Sequence, residues 1–420
     1  MPDTDNHNLN AHLQRNLRLY LWYSATYNTF FWLPVFFLFF SSHLTLDQVL
    51  KLEAIYYISV VALEVPSGYF SDVIGRKPTL LISSLAFLVA CILFFFGASF
   101  GMFIVAQVFL AAGISFNSGT DVSFHYDTLA TMKRESEFAA REAIVARNGF
   151  YAAAIGALLG GAIASVDLRH AYGLSALAAI VTFAIVLLFR EPPSHERRVR
   201  SGLGFFNQLR QCAGYLRIGT VRWLFAFAVL MTVLNHVPYE FYQPYLELLG
   251  RDLSLSVRST PLVAGVATGL AMLIAGWGAG RSIRIRDRIG IGPALLLAVL
   301  LQTVIIGVMG LVLHPVIIVL ILLRSMPRAL MAAPFNAAIA PLLSQQHRAT
   351  YLSLQSLVGR LSFSGVLLML AGIAGEGSTV HWEHISLMLK VSAILGIVGF
   401  VLLATTLSAM KEQREKPPPD

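Results

Sequence analysis

Twelve apolar stretches follow one another through the 420 residues, near 16–41, 48–70, 78–98, 102–128, 143–166, 171–189, 221–247, 260–280, 293–313, 315–341, 349–374 and 385–408. At 1.5 Å rise per residue, about 20 residues of helix cross the roughly 30 Å hydrocarbon core of a bilayer. No water reaches a backbone amide there, so each span must satisfy its own peptide groups and is read as a helix. The expected fold is an all-α membrane protein with twelve transmembrane helices. Charged residues make up 13% of the chain, against roughly 25% in soluble domains. Residues 1–16 are polar and show no cleavable-signal pattern, so the first stretch is expected to stay in place as helix 1.

The net charge of +8 raises nucleic acid as a partner, and its distribution removes it. With both termini in the cytoplasm, only Lys51, Arg169, Arg251, Arg258 and Lys390 fall on the outer side. Arg147, Arg324, Arg328 and Arg360 stay within helices, and every other Lys and Arg falls on the cytoplasmic side. That is the positive-inside bias of a polytopic membrane protein, with attraction to anionic lipid as its by-product. The partners expected are the lipid bilayer and a small-molecule substrate, and nothing calls for more than a monomer. Cys91 and Cys212 stand apart from each other and from any His at metal spacing, so no disulfide and no metal site is expected.

Residues 191–220 divide the spans six and six. They hold Glu191-Pro192-Pro193, then Arg197, Arg198 and Arg200, then Phe205 to Leu216, which reads as a short amphipathic surface helix. The expected organisation is an N-terminal six-helix bundle over 1–190, a linker over 191–220, and a C-terminal bundle with its tail over 221–420. The two bundles read as copies. The polar hairpin Gly68 to Pro78 carries Asp72, Gly75 and Pro78, and Asp287, Gly290 and Pro293 repeat that spacing 215 residues later. Tyr242-Gln243 follows Tyr27-Asn28 by 215 residues, and Arg360 follows Arg147 by 213. Parallel duplication of six helices is a plan of secondary transporters, with the substrate at the midplane between halves.

Ionisable groups within spans are costly and are functional candidates by default. Helix 4 carries Asn117, Asp121, His125 and Thr128 on one stripe. Asp121 is the leading proton carrier, and His125, which titrates near neutral pH, can share the proton. The alternative is a permanent pair between Asp121 and Arg147. Glu64, near the end of helix 2, and Glu240, on helix 7, are further proton-coupling candidates. Helix 7 also offers Asn235, His236, Tyr239 and Gln243, a polar face suited to a substrate wall or to an outer gate. Tyr20, Tyr23, Tyr27 and Phe30 share a face of helix 1, as an interfacial belt or, through Tyr23 and Tyr27, as a cavity wall; Asn117 is a separate cavity candidate. Arg324 and Arg360 lie about ten residues, roughly 15 Å, into helices 10 and 11. Each guanidinium needs an anion or carbonyl partner, met by structural pairing with Glu240 or Glu64, or by a carboxylate or phosphate on the substrate.

The hairpin Gly68, Asp72, Gly75-Arg76-Lys77, its degenerate copy, the basic middle loop and the twelve spans together resemble the major facilitator superfamily. Glu64 to Gly68, Ser118 to Asp121 and Tyr126 to Leu129 are similar to a bacterial efflux-type subset of it. The resemblance implies two six-helix halves working by alternating access. It implies a conformational latch of Gly68, Asp72, Gly75, Arg76 and Asp127, in which Arg76 pairs with Asp127. Asp72 would lie against the start of helix 11, whose exposed N–H groups carry partial positive charge. Such contacts hold only while the cytoplasmic side is closed. The sequence departs from the antiporters of that family at Gln107 to Gly113, which lacks an Arg-x-x-Gln-Gly pattern, and at Gly160-Gly161-Ala162, which lacks a proline.

The sequence has no phosphate-binding Gly-Lys-Ser/Thr loop and no nucleophile elbow, so it reads as no enzyme, without cofactors, driven by an ion gradient or by the substrate's own gradient; the isolated carboxylates and histidines make protons the expected coupling ion. The expected function is proton-coupled efflux of a small amphipathic organic compound or drug across a cell membrane, a bacterial inner membrane. The alternative is transport of an organic anion, a metabolite or siderophore-like carboxylate, bound by the intramembrane arginines. A sensor that moves nothing would have no use for a breakable latch.

Overall fold

A computed structural model describes residues 2–193, 210, 213–253, 259–343 and 345–410, and within these leaves aside the side chains of 2–9, 65, 139, 140, 143, 146, 147, 340, 345–350, 409 and 410. The expected surface helix at 205–216 and Cys212 fall outside the described residues, apart from 210 and 213–216. Among the described residues the regular elements are all helices, with no strand. In the first half run α1 (Pro2–Tyr27), α2 (Phe36–Ser41), α3 (Leu46–Val73), α4 (Arg76–Phe96), α5 (Phe100–Asn117), α6 (Thr120–Thr131), α7 (Phe138–Ala164) and α8 (Arg169–Leu188). In the second half run α9 (Gly219–Asp252), α10 (Ser259–Ala279), α11 (Ser282–Ile289), α12 (Ile291–Leu311), α13 (Ile317–Leu323), α14 (Met326–Ile339), α15 (Gln345–Ala374) and α16 (Trp382–Thr405). Nine stretches among the described residues are helices long and apolar enough to cross a membrane.

Three of the expected spans are interrupted. Helix 1 stops at Tyr27 and resumes at Phe36. Pro34 has no N–H to donate to Phe30 and disfavours a helical Leu33. The chain between makes tight turn bonds instead, Leu33 N to Phe30 O at 3.2 Å and Val35 N to Trp32 O at 3.0 Å. Helix 4 breaks between α5 and α6 at Gly119, which takes a left-handed φ of 75°. Helix 10 breaks between α13 and α14 because Pro327 cannot donate to the Leu323 carbonyl, and α13 ends at Leu323. Run length alone reads such segments as single spans. The breaks are set by prolines and by one glycine that a hydropathy window averages away.

The chain separates into two compact units, Met1–Leu44 with Ile55–Arg200, and Thr45–Ala54 with Ser201–Asp420. In the first, α4 packs against both α5 and α8. Its core joins Tyr20, Tyr23, Leu80, Phe124, Val145, Val186 and Phe189. A second aromatic nest holds α2 at the far end, where Phe39 lies 4.5 Å and Phe94 4.9 Å from the Tyr172 ring. The unwound segment after α1 rests on α7, so closely that a Cβ on Gly160 would stand 1.9 Å from the Phe31 carbonyl oxygen.

The duplication is visible in the backbone. Gly75 (φ 119°, ψ 163°) precedes α4, and Gly290 (φ 85°, ψ 162°) precedes α12. Both glycines hold a positive φ that side-chain-bearing residues rarely adopt, and both open helices of 21 residues. The correspondence lapses at helix 1, since its counterpart α9 runs unbroken for 34 residues through Pro238 and Pro244.

Candidate functional site

The stripe on helix 4 survives its break. Asn117 closes α5 and Asp121 opens α6, yet Asn117 Nδ2 still donates to Asp121 Oδ2 at 3.4 Å. Tyr23 donates its hydroxyl to Asn117 Oδ1 through a short bond, and Tyr27 donates to the Gly113 carbonyl at 3.3 Å. The rings of Tyr20, Tyr23 and Tyr27 stack at 5.9 and 6.0 Å. All three are buried, with the hydroxyls of Tyr23 and Tyr27 satisfied inside the first unit. A carboxylate, an amide and phenols thus form one hydrogen-bonded line in an otherwise apolar bundle. Among the described residues Asp121 meets no cation, its other bond being to the Val122 N–H at 2.8 Å. The side chain of Arg147, the expected counter-ion, lies outside the described residues.

One turn further, His125 Nδ1 stands 2.5 Å from Glu142 Oε1. Tyr20 covers the imidazole, ring centroids 4.3 Å apart. His125 is buried, while the Glu142 side chain keeps 26% of its surface exposed. Glu142 therefore connects a buried imidazole to the end of the bundle. Its charge also bears on Asp121 and on Tyr20. Sequence reasoning missed Glu142, since it sits at the start of helix 5 and gains meaning only where that helix meets helix 4. A lone acid opening an apolar span opposite a polar stripe was the available signal. Outside the spans, Arg134 and Arg141 hold the Glu137 carboxyl down at about 2.

At the hairpin, Arg76 gathers its acceptors. Its Nε donates to Asp127 at 3.1 Å, and one terminal nitrogen donates to Asp72 at 2.8 Å and to Ser71 at 2.7 Å. Glu191 closes the other side, accepting from the backbone N–H groups of Arg76 and Lys77 at 2.8 and 2.7 Å. This carboxylate satisfies two of the orphan donors that open α4. A Cβ on Gly75 would stand 2.7 Å from Glu191 Oε1, so glycine serves both the turn and the carboxylate's approach. Gly68 shows no such need, as a Cβ there would meet nothing within 4 Å. Ser344 and the side chains of 345–350, where helix 11 begins, lie outside the described residues, and with them the expected seat of Asp72 against that helix.

In the second unit, Arg324 sits at the joint between α13 and α14 and is 6% exposed. It lies over the Tyr242 ring at 4.1 Å, and donates to Thr268 Oγ1 at 3.1 Å and to the Ile321 carbonyl at 2.9 Å. Among the described residues of this unit no acidic side chain is a hydrogen-bond partner of Arg324. Among the described residues this buried guanidinium meets a π face and neutral oxygens only. Tyr242 is held in turn by Thr268 at 3.0 Å and Gln243 at 3.2 Å. Glu240 is fully buried on the same helix, and Tyr239 acts on Arg324 electrostatically. Asn235 reaches only the Met331 sulfur, at 4.0 Å. Arg360 and the exposed Arg328 bear on His236, whose Nδ1 lies 2.6 Å from the Thr232 carbonyl. Glu64 stands half-buried on α3, where its carbonyl accepts from Ser67.

The family model of the Major Facilitator Superfamily matches residues 20–365. The solved nucleoside transporter NupG superimposes with a TM-score of 0.75 at 11% identity, covering 95% of this chain and 99% of that one. A bacterial homolog of the human lysosomal transporter Spinster, inward-facing and unoccupied, gives 0.67 at 16% identity, covering 98% and 99%. A D-xylose–proton symporter gives 0.63 at 13% identity, covering 91% and 96%. No curated protein matches the chain by sequence. The duplicated hairpin, the two helical units and the match over most of the length converge: the chain belongs to the Major Facilitator Superfamily of membrane transporters.

Proposed function

We propose that the protein is a proton-coupled secondary transporter of a bacterial inner membrane, exporting a small organic compound by alternating access. The observation that carries the reading is the line Tyr23–Asn117–Asp121 with the adjoining pair His125–Glu142. Carboxylates and an imidazole inside an apolar bundle are expensive, and binding and releasing protons is a function that accounts for their presence. Asp121 is the carrier in this scheme, and Glu142 links His125 to the aqueous end.

The substrate side rests on Arg324. A desolvated guanidinium that meets no acidic partner among the described residues favours the second reading, an organic anion whose carboxylate or phosphate pairs with it. Nucleosides and D-xylose named for the structural neighbours bear no such group, so the fold itself does not choose the cargo. Inside-out vesicles made acidic inside test both halves. Uptake of a lipophilic cation that is lost with a protonophore and with Asp121→Asn supports proton-driven efflux of an amphipathic compound. Uptake of a labelled organic acid that is lost with Arg324→Gln moves the assignment to the anion. Proton-driven uptake that survives Asp121→Asn removes Asp121 from the scheme.

A further inference from the structure

The two hairpins left by the duplication have diverged. In the first, the cations find acceptors inside the protein: Arg76 on Asp72, Ser71 and Asp127, and Lys77 on the Leu187 carbonyl at 2.9 Å. In the second, Gly290 keeps the turn, but Ile291 and Gly292 stand where Arg76 and Lys77 do. The charge has moved onto α11. Arg284 and Arg288 lie four residues apart on one face of α11, Arg281 stands at its N-cap, and all three are exposed. The positions 215 residues earlier are Pro66, Tyr69 and Val73, so this basic face belongs to the second copy alone.

What the arginines touch is as informative. Arg286, on another side of α11, is taken up by Asp287 at 2.6 and 2.9 Å. Among the described residues Arg284 and Arg288 meet no acceptor. Arg281 lies 3.6 Å from the centroid of Trp277 and donates only to the Trp277 carbonyl, at 3.3 Å. Trp277 is 56% exposed near the end of α10. An exposed indole at the end of an apolar span marks the level of the lipid headgroups. Arg284 and Arg288 continue from that level along α11, whose buried Ser282 turns the other way. Exposed Ile283 and Ile289 flank them on the same helix, apolar surface that a water-soluble anion would leave wet.

We propose that Arg281, Arg284 and Arg288, with Trp277, seat the phosphate headgroup of an anionic phospholipid of the cytoplasmic leaflet. Planar guanidinium forks match phosphate oxygens, and the positive-inside bias turns this helix toward the leaflet that carries negative charge. The bound lipid fixes α11, and with it the connection between helices 8 and 9, at the membrane surface.

Native mass spectrometry of the full chain, with phosphatidylglycerol or phosphatidylethanolamine added, tests the seat. The wild type should retain phosphatidylglycerol in preference. Arg284→Gln and Arg288→Gln should each weaken it about fivefold, and the double variant about thirtyfold, with Arg286→Gln as an unaffected control. Exposed charges should also lose the lipid in solution as salt approaches 1 M, where the Debye length falls to about 3 Å. Equal retention of the two lipids, or undiminished phosphatidylglycerol binding in the double variant, overturns the proposal. Displacement by inorganic phosphate at equal concentration does so too, by assigning the face to a soluble anion. Binding that emerges only after removal of residues 411–420 would instead give the seat to the chain's own Glu412 and Glu415.

Discussion

His125 and Glu142 are worth little apart. A buried imidazole without its carboxylate has nowhere to send a proton, and a half-exposed carboxylate without the imidazole is ordinary surface charge. Charge-assisted hydrogen bonds contribute about 1.5–3 kcal/mol, so Glu142→Gln is expected to slow proton-driven transport by about tenfold or more. Glu142→Asp should restore part of it, and substrate affinity should hold. A counterflow assay, which needs no net proton movement, separates the outcomes: counterflow lost together with driven transport would make Glu142 a packing residue. At this scale the sequence was legible where periodicity carries information. Asn117 and Asp121, which recur on one stripe, are hydrogen-bonded to each other across the break, while His125 one turn on pairs with Glu142. Glu142 and Glu191 could not be read so, because each acts on another helix, Glu142 on the one before it and Glu191 on one more than a hundred residues away. Arg324 was recognised as costly, but its Tyr242 and Thr268 contacts are long-range packing that no local pattern encodes.

At the scale of elements, the interruption of helix 1 governs how the first unit is built. The unwound stretch from Asn28 to Val35 sits against α7 because Gly149, Gly156 and Gly160 leave room for it, with a prospective Cβ on Gly160 only 1.9 Å from the Phe31 oxygen. Gly160→Ala must push that backbone away. Overpacking of this kind costs about 1–3 kcal/mol, and thermal unfolding in detergent should fall by several degrees. Gly68→Ala, where a Cβ meets nothing within 4 Å, should leave the midpoint unchanged and serves as the control. Equal midpoints for both variants would mean that α7 and the segment part easily. Hydropathy located this span and not its break. Phe and Leu continue on both sides of Pro34, so the window stays apolar while the hydrogen bonding changes.

At the scale of the molecule, the duplication has been kept in backbone and spent differently in charge. The first hairpin is closed on itself through Arg76, with side-chain exposures of 22% for the arginine and 30% for Asp127. Half-exposed pairs contribute only about 0.2–1 kcal/mol, which suits a contact that must release during a transport cycle. A double-mutant cycle of Arg76→Gln and Asp127→Asn on thermal stability should return a coupling of that size. A coupling several times larger would describe a permanent brace rather than a latch. The jointed helix 1 adds a mechanical consequence. Its inner length is pinned where Asn16 exchanges bonds of 2.7 and 2.9 Å with Arg190. Its outer length is pinned separately, where His43 takes a 3.1 Å bond from Arg169. A straight rod held at two points passes torque from one to the other; a rod whose middle leaves the helix and is seated on α7 does not pass it directly. The outer stub of helix 1 is thus anchored independently of the inner shaft.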